Sequence, residues 1–202
     1  MSRRSERKNR FMEKYAQFCD MVLLSCLFIL TCLPVVTIGS SIAALYHSVT
    51  KVLVSGEGYL FETYLKSFKE NLRQGILLTL FTIILCGLSW MSIRMCGMLC
   101  MNGQAPAALL YVRWGVLIPA LLLIPWEFIY MSRFNDTAGT IIKNSFTLGI
   151  AAFNVTLFSD LLITAACVLC FFLLPALPFV ITPLCLLISK KTDPVLKGLY
   201  KA

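Results

Sequence analysis

The sequence predicts an all-α protein, a polytopic transmembrane helix bundle, on three observations. Of its 202 residues, 58% are hydrophobic and only 14% are charged, whereas a soluble domain carries about 25% charged residues. The apolar residues are grouped in long blocks, and Lys and Arg stand at the edges of those blocks. That placement orients spans in a bilayer, so the net charge of +8 does not indicate nucleic-acid binding. Soluble enzymes, nucleic-acid binders and disordered proteins are therefore excluded.

The chain begins with a basic segment, residues 1–17, which we predict to be a cytoplasmic tail. The apolar run that starts at Met21 is longer than the apolar region of a secretory signal and contains no small-x-small cleavage site. We therefore predict that this run is a retained first span. A second basic segment, residues 190–202, is predicted to be a cytoplasmic C-terminal tail, which leaves residues 18–189 as a single membrane domain.

Two of the apolar stretches are too long or too interrupted to form one span each. The block Leu157–Ile188 contains 32 residues and Pro175, and as one helix it would measure about 48 Å against a bilayer core of about 30 Å. The uncharged stretch before Lys51 is broken at Pro34. Splitting both stretches predicts six spans, near residues 18–35, 36–54, 75–94, 111–130, 155–174 and 175–189.

The distribution of Lys and Arg favours six spans over the alternatives of four or five. Six spans with both termini in the cytoplasm leave sixteen of these cations inside and two, Arg94 and Arg113, outside. Four or five spans leave twelve inside and six outside. Because an excess of cations marks cytoplasmic segments, we predict a multi-pass protein of the cytoplasmic membrane with both termini in the cytoplasm.

Residues 59–74 are predicted to form a cytoplasmic amphipathic helix at the membrane interface. Apolar residues recur every four positions, at Leu60, Tyr64, Phe68 and Leu72. Another face carries charges that form a candidate partner-docking face: Glu62, Lys66, Lys69, Glu70 and Arg73. Two interpretations remain open, a connector that rests on the membrane and a coupling helix that presents its charges to a cytoplasmic partner.

Polar groups within the apolar blocks are few, and the candidate intramembrane positions are Ser40, Ser41, His47, Thr50 and Glu127. We expect Glu127, near the end of its block, to reach the interface or to pair with a neighbouring cation. We expect His47 to be a hydrogen-bonded packing residue. Small residues at helix-contact spacing predict that the second span packs closely on a neighbour, through Gly39, Ala43 and Ala44.

The sequence contains no phosphate-binding loop, no His-Glu-x-x-His motif and no Gly-x-Ser-x-Gly elbow. Its single histidine cannot build a His-rich metal site. We therefore predict no catalytic residue, no metal and no cofactor, and we do not expect an enzyme.

One stretch of the chain resembles a known family. Leu33-Pro34-Val35-Val36-Thr37-Ile38-Gly39 is followed by Ala43-Ala44-Leu45-Tyr46, then by Gly56-Glu57-Gly58, and then by Lys66-Ser67-Phe68-Lys69-Glu70-Asn71-Leu72-Arg73-Gln74. This ordered set resembles the YesL-type family of bacterial integral membrane proteins, a domain of unknown function. Arg133-Phe134, Lys143-Asn144 and the proline-rich last hairpin resemble it more loosely, with Thr182-Pro183 where the family often has Gly-Pro.

The resemblance implies a bacterial context of carbohydrate utilisation, beside sugar ATP-binding-cassette importers, and supplies no catalytic or ligand residues. We therefore expect a non-catalytic accessory membrane subunit, with the bilayer and importer subunits as partners. The alternative is a small oligomeric facilitator or channel, built from copies of the chain. That alternative requires polar groups such as Ser40, His47 and Ser89 to converge on one wet cavity, whereas an accessory subunit would show a dry bundle and an exposed charged helix face.

Overall fold

A computed structural model describes residues 3–101, 107–134, 136–172 and 177–199. Every regular element in these ranges is helical, so the predicted all-α class is confirmed. A 3₁₀ turn (Val35–Thr37) precedes the second α-helix and a π-helix (Val49–Val54) follows it. The α-helices are α1 (Arg3–Thr31), α2 (Ile38–Ser48), α3 (Leu60–Met101), α4 (Ala107–Met131), α5 (Ala138–Ala151), α6 (Phe153–Phe172) and α7 (Leu177–Leu199).

The break predicted at Pro34 separates two helices. α1 ends at Thr31, and Pro34 has an extended backbone with φ −77° and ψ 119°, as expected for a residue that cannot continue a helix. The hydroxyl of Thr37 lies 2.7 Å from the Thr31 carbonyl oxygen and 2.8 Å from that of Pro34, and donates to them at the end of α1. The second predicted break, at Pro175, lies outside the described residues.

The amphipathic helix predicted at residues 59–74 is not a separate element. α3 begins at Leu60 and runs without interruption to Met101, a length of about 63 Å, roughly twice the bilayer core. Gly75, at the junction, lies within the helix, and its missing side chain leaves room for α2: a Cβ there would lie 2.7 Å from the backbone nitrogen of Ser40. The predicted interfacial helix is therefore the N-terminal part of the helix that also contains the third predicted span.

α2 lies at the centre of the fold, in contact with α1, α3, α4 and α7. Ala43 packs in a core cluster with Trp126 of α4, and Ala44 packs in a second cluster with Leu24 of α1. Gly39 faces α3 so closely that a Cβ would lie 2.5 Å from the Thr79 hydroxyl oxygen. The three small residues thus lie where α2 meets its neighbours within the same chain.

By length and composition, one helix among the described residues can cross a membrane, over Leu60–Met98. A second candidate arises only if α5 and α6 are taken together, and these two helices meet at 101°. The apolar stretches Tyr15–Thr31 and Leu117–Met131 are shorter than a full span. The structure therefore supports association with a membrane, and the count of six spans stays a prediction.

The relation of α1 to α7 differs from the predicted topology. The ring of Phe18 stacks on Phe179, with centroids 6.1 Å apart, and Ser25 shares a 2.6 Å hydrogen bond with Thr182. Because these contacts advance together along both helices, α1 and α7 run in the same direction. Six spans with both termini on one side require the first and last spans to be antiparallel. This parallel arrangement is not the one that the six-span topology requires, and the placement of both termini in the cytoplasm stays a prediction.

The two basic segments predicted as tails are helical in the residues that the structure describes. α1 begins at Arg3, so most of segment 1–17 is continuous with the first predicted span. α7 extends to Leu199, ten residues beyond the end predicted for the sixth span. A run of Lys and Arg does not itself end a helix, since both residues are good helix formers.

Candidate functional site

A mixed-charge groove lies between the π-helix and the N-terminal part of α3. Its volume is about 420 Å³. One wall carries His47 and Lys51, and the other carries the exposed charges Glu62, Lys66 and Glu70. The structure therefore brings one candidate intramembrane position, His47, together with three residues of the predicted docking face.

The groove depends on the turn that joins the π-helix to α3. Gly56 has φ +73° and Gly58 has φ +85°, a left-handed backbone that glycine adopts without the steric cost of a Cβ. The amide of Glu57 donates to the carbonyl of Lys51 over 3.0 Å, which closes the turn against the π-helix. The turn returns the chain alongside itself, so that Gly58 and the start of α3 line the groove opposite Lys51.

The charged side chains of the groove do not neutralise one another. Within the part of the chain that the structure describes, the recorded ion pair is Arg133–Asp193, and the four charges of the groove make no ion pair. Glu62 precedes Lys66 by four residues, the favourable order for pairing on a helix, yet such exposed pairs contribute only about 0.2–0.5 kcal/mol. The two Glu and two Lys side chains are therefore available to a ligand.

The predicted docking face lies opposite the buried face of α3. At about 100° per residue, its five charged residues fall within an arc of about 100°, and all of them are exposed. The buried positions Leu60, Tyr64, Ser67 and Asn71 occupy the other side of the helix and pack toward α2. Half of the apolar stripe predicted to rest on a membrane is therefore inside the protein. Lys69 and Arg73 lie on the exposed face outside the groove.

A polar network joins α2, α4 and α7 beside the groove. The hydroxyl of Tyr46 lies 2.7 Å from the Thr192 hydroxyl and donates to Asp193 over 3.1 Å. Arg133 donates to the same oxygen of Asp193 over 2.6 Å, and its guanidinium lies 5.9 Å from the centre of the Tyr46 ring. His47 is anchored to the network by a 3.3 Å contact between its Nδ1 and the Ser132 carbonyl. The network fixes the wall of the groove that α2 provides.

The other polar positions do not converge on the groove. Ser40 donates weakly to the carbonyls of Asn71 and Leu72, at 3.4 and 3.3 Å. The hydroxyl of Ser41 lies 3.0 Å from the Thr37 carbonyl, and that of Thr50 lies 2.9 Å from the Tyr46 carbonyl. Ser89 likewise donates to the Leu85 carbonyl over 2.9 Å. These hydroxyls are buried, and they satisfy backbone carbonyls instead of lining a shared wet cavity.

Glu127 lies deeper in the fold than its position in the sequence suggests. It is 1% exposed, and its Oε1 accepts a hydrogen bond from the Thr82 hydroxyl of α3. Its Oε2 has no partner among the described residues. The expectation that Glu127 reaches the interface or pairs with a cation is therefore wrong, because α4 turns this residue toward α3 rather than toward the surface. No group of three or more His, Cys, Asp or Glu side chains in the described ranges could hold a metal ion.

Sequence reasoning did not single out Tyr59, Asp193 or Thr192, although all belong to the groove or to the network that supports it. Tyr59 could have been found from the turn glycines that precede it. Asp193 carried no local signal, because its partner Arg133 is sixty residues away and only the packing of α7 beside α4 brings the two together.

Comparison with known proteins gives one match. Residues 21–93 match the family described as "Protein of unknown function, DUF624". No curated protein and no solved structure matches the chain. The matched residues include α2, the π-helix, the glycine turn and the charged part of α3, and therefore all the residues that line the groove. Arg133 and the predicted last hairpin lie outside the match.

Proposed function

We propose, from the match of residues 21–93 to the DUF624 family, which is consistent with the resemblance to the YesL-type family, that the protein is a non-catalytic accessory subunit of a bacterial membrane assembly for carbohydrate uptake or utilisation. The family resemblance supports the carbohydrate context and the sugar ATP-binding-cassette importer as the partner class. The geometry of α3 supports docking as the means of association. In this proposal α3 leaves the membrane and presents its charged face to a cytoplasmic partner.

The exposed side of α3 changes character along its length, which supports a membrane boundary near Gly75. Up to Arg73 this side carries charges, whereas Leu77, Leu80 and Ile84 on the same side are 53%, 46% and 61% exposed. At the far end, the guanidinium of Arg94 lies 6.0 Å from the ring of Trp90, a combination typical of a membrane–water interface. Residues 75–94 measure about 30 Å and match the bilayer core.

We place the end of the fold that is rich in Lys and Arg on the cytoplasmic side of the membrane. Lys51, Arg133 and Lys191 lie at the same end of the fold as the charged part of α3, since the groove and the Arg133–Asp193 pair join their elements. That end includes the C-terminal part of α7. A multi-pass protein with its C-terminus in the cytoplasm is consistent with the excess of cations there.

The single observation that carries the proposal is the arrangement of α3. Five exposed charges share one side of a helix whose opposite side is held by α2. A helix that only rested on lipid would turn its apolar stripe outward, but Leu60 and Tyr64 are buried in the core. A small oligomeric facilitator receives less support, because the hydroxyls that would line a path bond to backbone carbonyls.

The test is purification of the tagged protein from its native host in mild detergent, with identification of the proteins that accompany it. The variant Lys66→Glu, Lys69→Glu, Arg73→Glu reverses the cations of the docking face. The matched control, Lys143→Glu, Lys190→Glu, Lys197→Glu, reverses three exposed cations of α5 and α7.

We expect importer permease or ATPase subunits to accompany the wild type and the control variant but not the docking-face variant. Recovery of the protein alone, as a homogeneous oligomer, would contradict the proposal and favour the facilitator. Flux of sugars into liposomes would then be measured.

A further inference from the structure

We propose that the groove between the π-helix and α3 receives a partner helix that carries a basic–acidic–basic row of side chains at four-residue spacing. This inference rests on the proposed docking function and adds the chemistry of the segment that docks. The row would lie against Glu62, Lys66 and Glu70, with each charge opposite one of opposite sign.

The spacing of the charges supports a helical ligand. Glu62, Lys66 and Glu70 lie on successive turns of α3, about 6 Å apart along its axis. A second helix repeats its side chains with the same rise, so three pairs can form at once along two turns. On an extended strand, side chains on one face repeat every two residues, about 6.6 Å apart, so three of them span about 13 Å against about 12 Å on α3 and fall out of register with the row. The row therefore favours a helix over a strand.

The positive charges at the centre of the groove support an acidic residue at the centre of the ligand. Lys66 lies between the two carboxylates of its own wall, and Lys51 extends from the opposite wall of the same groove. A carboxylate at the centre would meet both ammonium groups. Basic residues one turn to either side would meet Glu62 and Glu70. The four charged residues of the groove make no ion pair in the part of the chain that the structure describes. No existing ion pair therefore has to be broken for the ligand to bind.

Hydrogen bonds to other helices hold the wall of the groove on the α2 side in place. Tyr46 is 2% exposed and bonds to Thr192 and Asp193, while the neighbouring His47 is held by the Ser132 carbonyl. A wall fixed by α4 and α7 loses little conformational freedom on binding, which favours association. The groove is also distinct from the cations Lys69 and Arg73, which lie nearer to the apolar half of α3.

The test uses the purified full chain in detergent micelles and two synthetic alanine-based helical peptides. One carries Lys, Glu and Lys at four-residue spacing, and the other carries Glu, Lys and Glu. We expect the wild type to bind the first peptide roughly tenfold more tightly, since three exposed pairs change sign together. This preference opposes the general attraction of a chain of net charge +8 for the more acidic peptide.

The variant Glu62→Lys, Lys66→Glu, Glu70→Lys should reverse the preference. The control, Lys143→Glu with Lys197→Glu, reverses exposed cations of α5 and α7 outside the groove and the docking face, and should keep the preference of the wild type. Equal binding of both peptides by the wild type, or a preference that the reversed variant retains, would overturn the inference.

The outcomes also separate this inference from the proposed function. If the preference reverses but no importer subunit accompanies the protein from its host, the chemistry of the groove stands and the accessory function fails. If a subunit accompanies the wild type but not the docking-face variant, and the peptides bind equally, docking stands and the basic–acidic–basic row is wrong.

Discussion

The backbone amide of Gly39, at the start of α2, donates a 3.0 Å hydrogen bond to the hydroxyl of Thr79, forty residues further along the chain on α3. The first amides of a helix have no partner within it, and here one of them is satisfied by the neighbouring helix. The same hydroxyl donates to the carbonyl of Gly75 over 2.6 Å. Gly39, Thr79 and Gly75 thus form the crossing that fixes α2 against α3, next to the charged part of α3.

This crossing predicts that Gly75→Ala destabilises the protein. The new Cβ would lie 2.7 Å from the backbone nitrogen and 2.9 Å from the Cα of Ser40, so the helices would have to separate. We expect a loss of about 1–3 kcal/mol of unfolding free energy, typical of overpacking, measured by thermal unfolding in detergent. Gly87→Ala is the matched control on the same helix. No atom lies within 4 Å of its Cβ, and alanine favours a helix, so a loss of stability at Gly87 as large as at Gly75 would contradict this explanation.

The bond between Tyr46 and Asp193 predicts coupling between α2 and α7. Tyr46→Phe removes a hydroxyl that bonds to both Thr192 and Asp193, and we expect it to cost about 1–2 kcal/mol. Asp193→Asn also weakens the bond to Arg133 and should cost more. Because both residues belong to one network, the double variant should lose less than the sum of the two single losses, by about 0.5 kcal/mol or more. Additive losses in thermal unfolding would show that the two contacts act independently.

The buried contact between Thr82 and Glu127 predicts an asymmetry between single and double substitutions. Thr82→Val removes the hydrogen bond to a carboxyl group that is 1% exposed, and we expect a loss of about 1–3 kcal/mol. Replacing both residues, as Thr82→Val with Glu127→Met, removes the polar group that was left without a partner. The double variant should therefore be more stable than Thr82→Val alone. The opposite order of stability would mean that Glu127 has a partner other than Thr82.

The change from charged to apolar side chains along α3 predicts where the membrane begins. Single cysteines would replace Lys69, Arg73, Leu80 or Ile84 in a background from which the nine native cysteines are removed. We expect a membrane-impermeant maleimide, applied from the cytoplasmic side, to label positions 69 and 73 and to leave 80 and 84 unlabelled. A cysteine at Lys143 serves as the cytoplasmic control. Equal labelling of all four positions would mean that this part of α3 lies outside the bilayer.

Local features of the sequence predicted the elements better than their connections. The missing amide of Pro34 and the glycines of the turn at residues 56–58 act within a few residues, and the structure has a break and a turn at those places. The continuity of α3 was not predictable in the same way. A glycine such as Gly75 disfavours a helix, and the reason for a glycine at this position, the approach of Ser40 from another helix, is not visible in the sequence.

The wall of the groove that α3 provides was predictable from the sequence. The opposite wall was not. Period and charge alone place Glu62, Lys66 and Glu70 on one face. The opposite wall requires His47 to lie beside Ser132 and Asp193 beside Arg133, and such long-range contacts leave no pattern in a single sequence. Glu127 was misjudged for the same reason, since its partner Thr82 is 45 residues away.

Photo-crosslinking in the living host tests most directly the claim that α3 docks a cytoplasmic partner. A photoreactive amino acid would replace Lys69, on the docking face, or Lys143, an exposed cation on α5. We predict that position 69 yields a crosslink to one defined protein, identified as an importer subunit, and that position 143 does not. Crosslinks from position 69 only to lipid, or only to a second copy of the chain, would contradict the account.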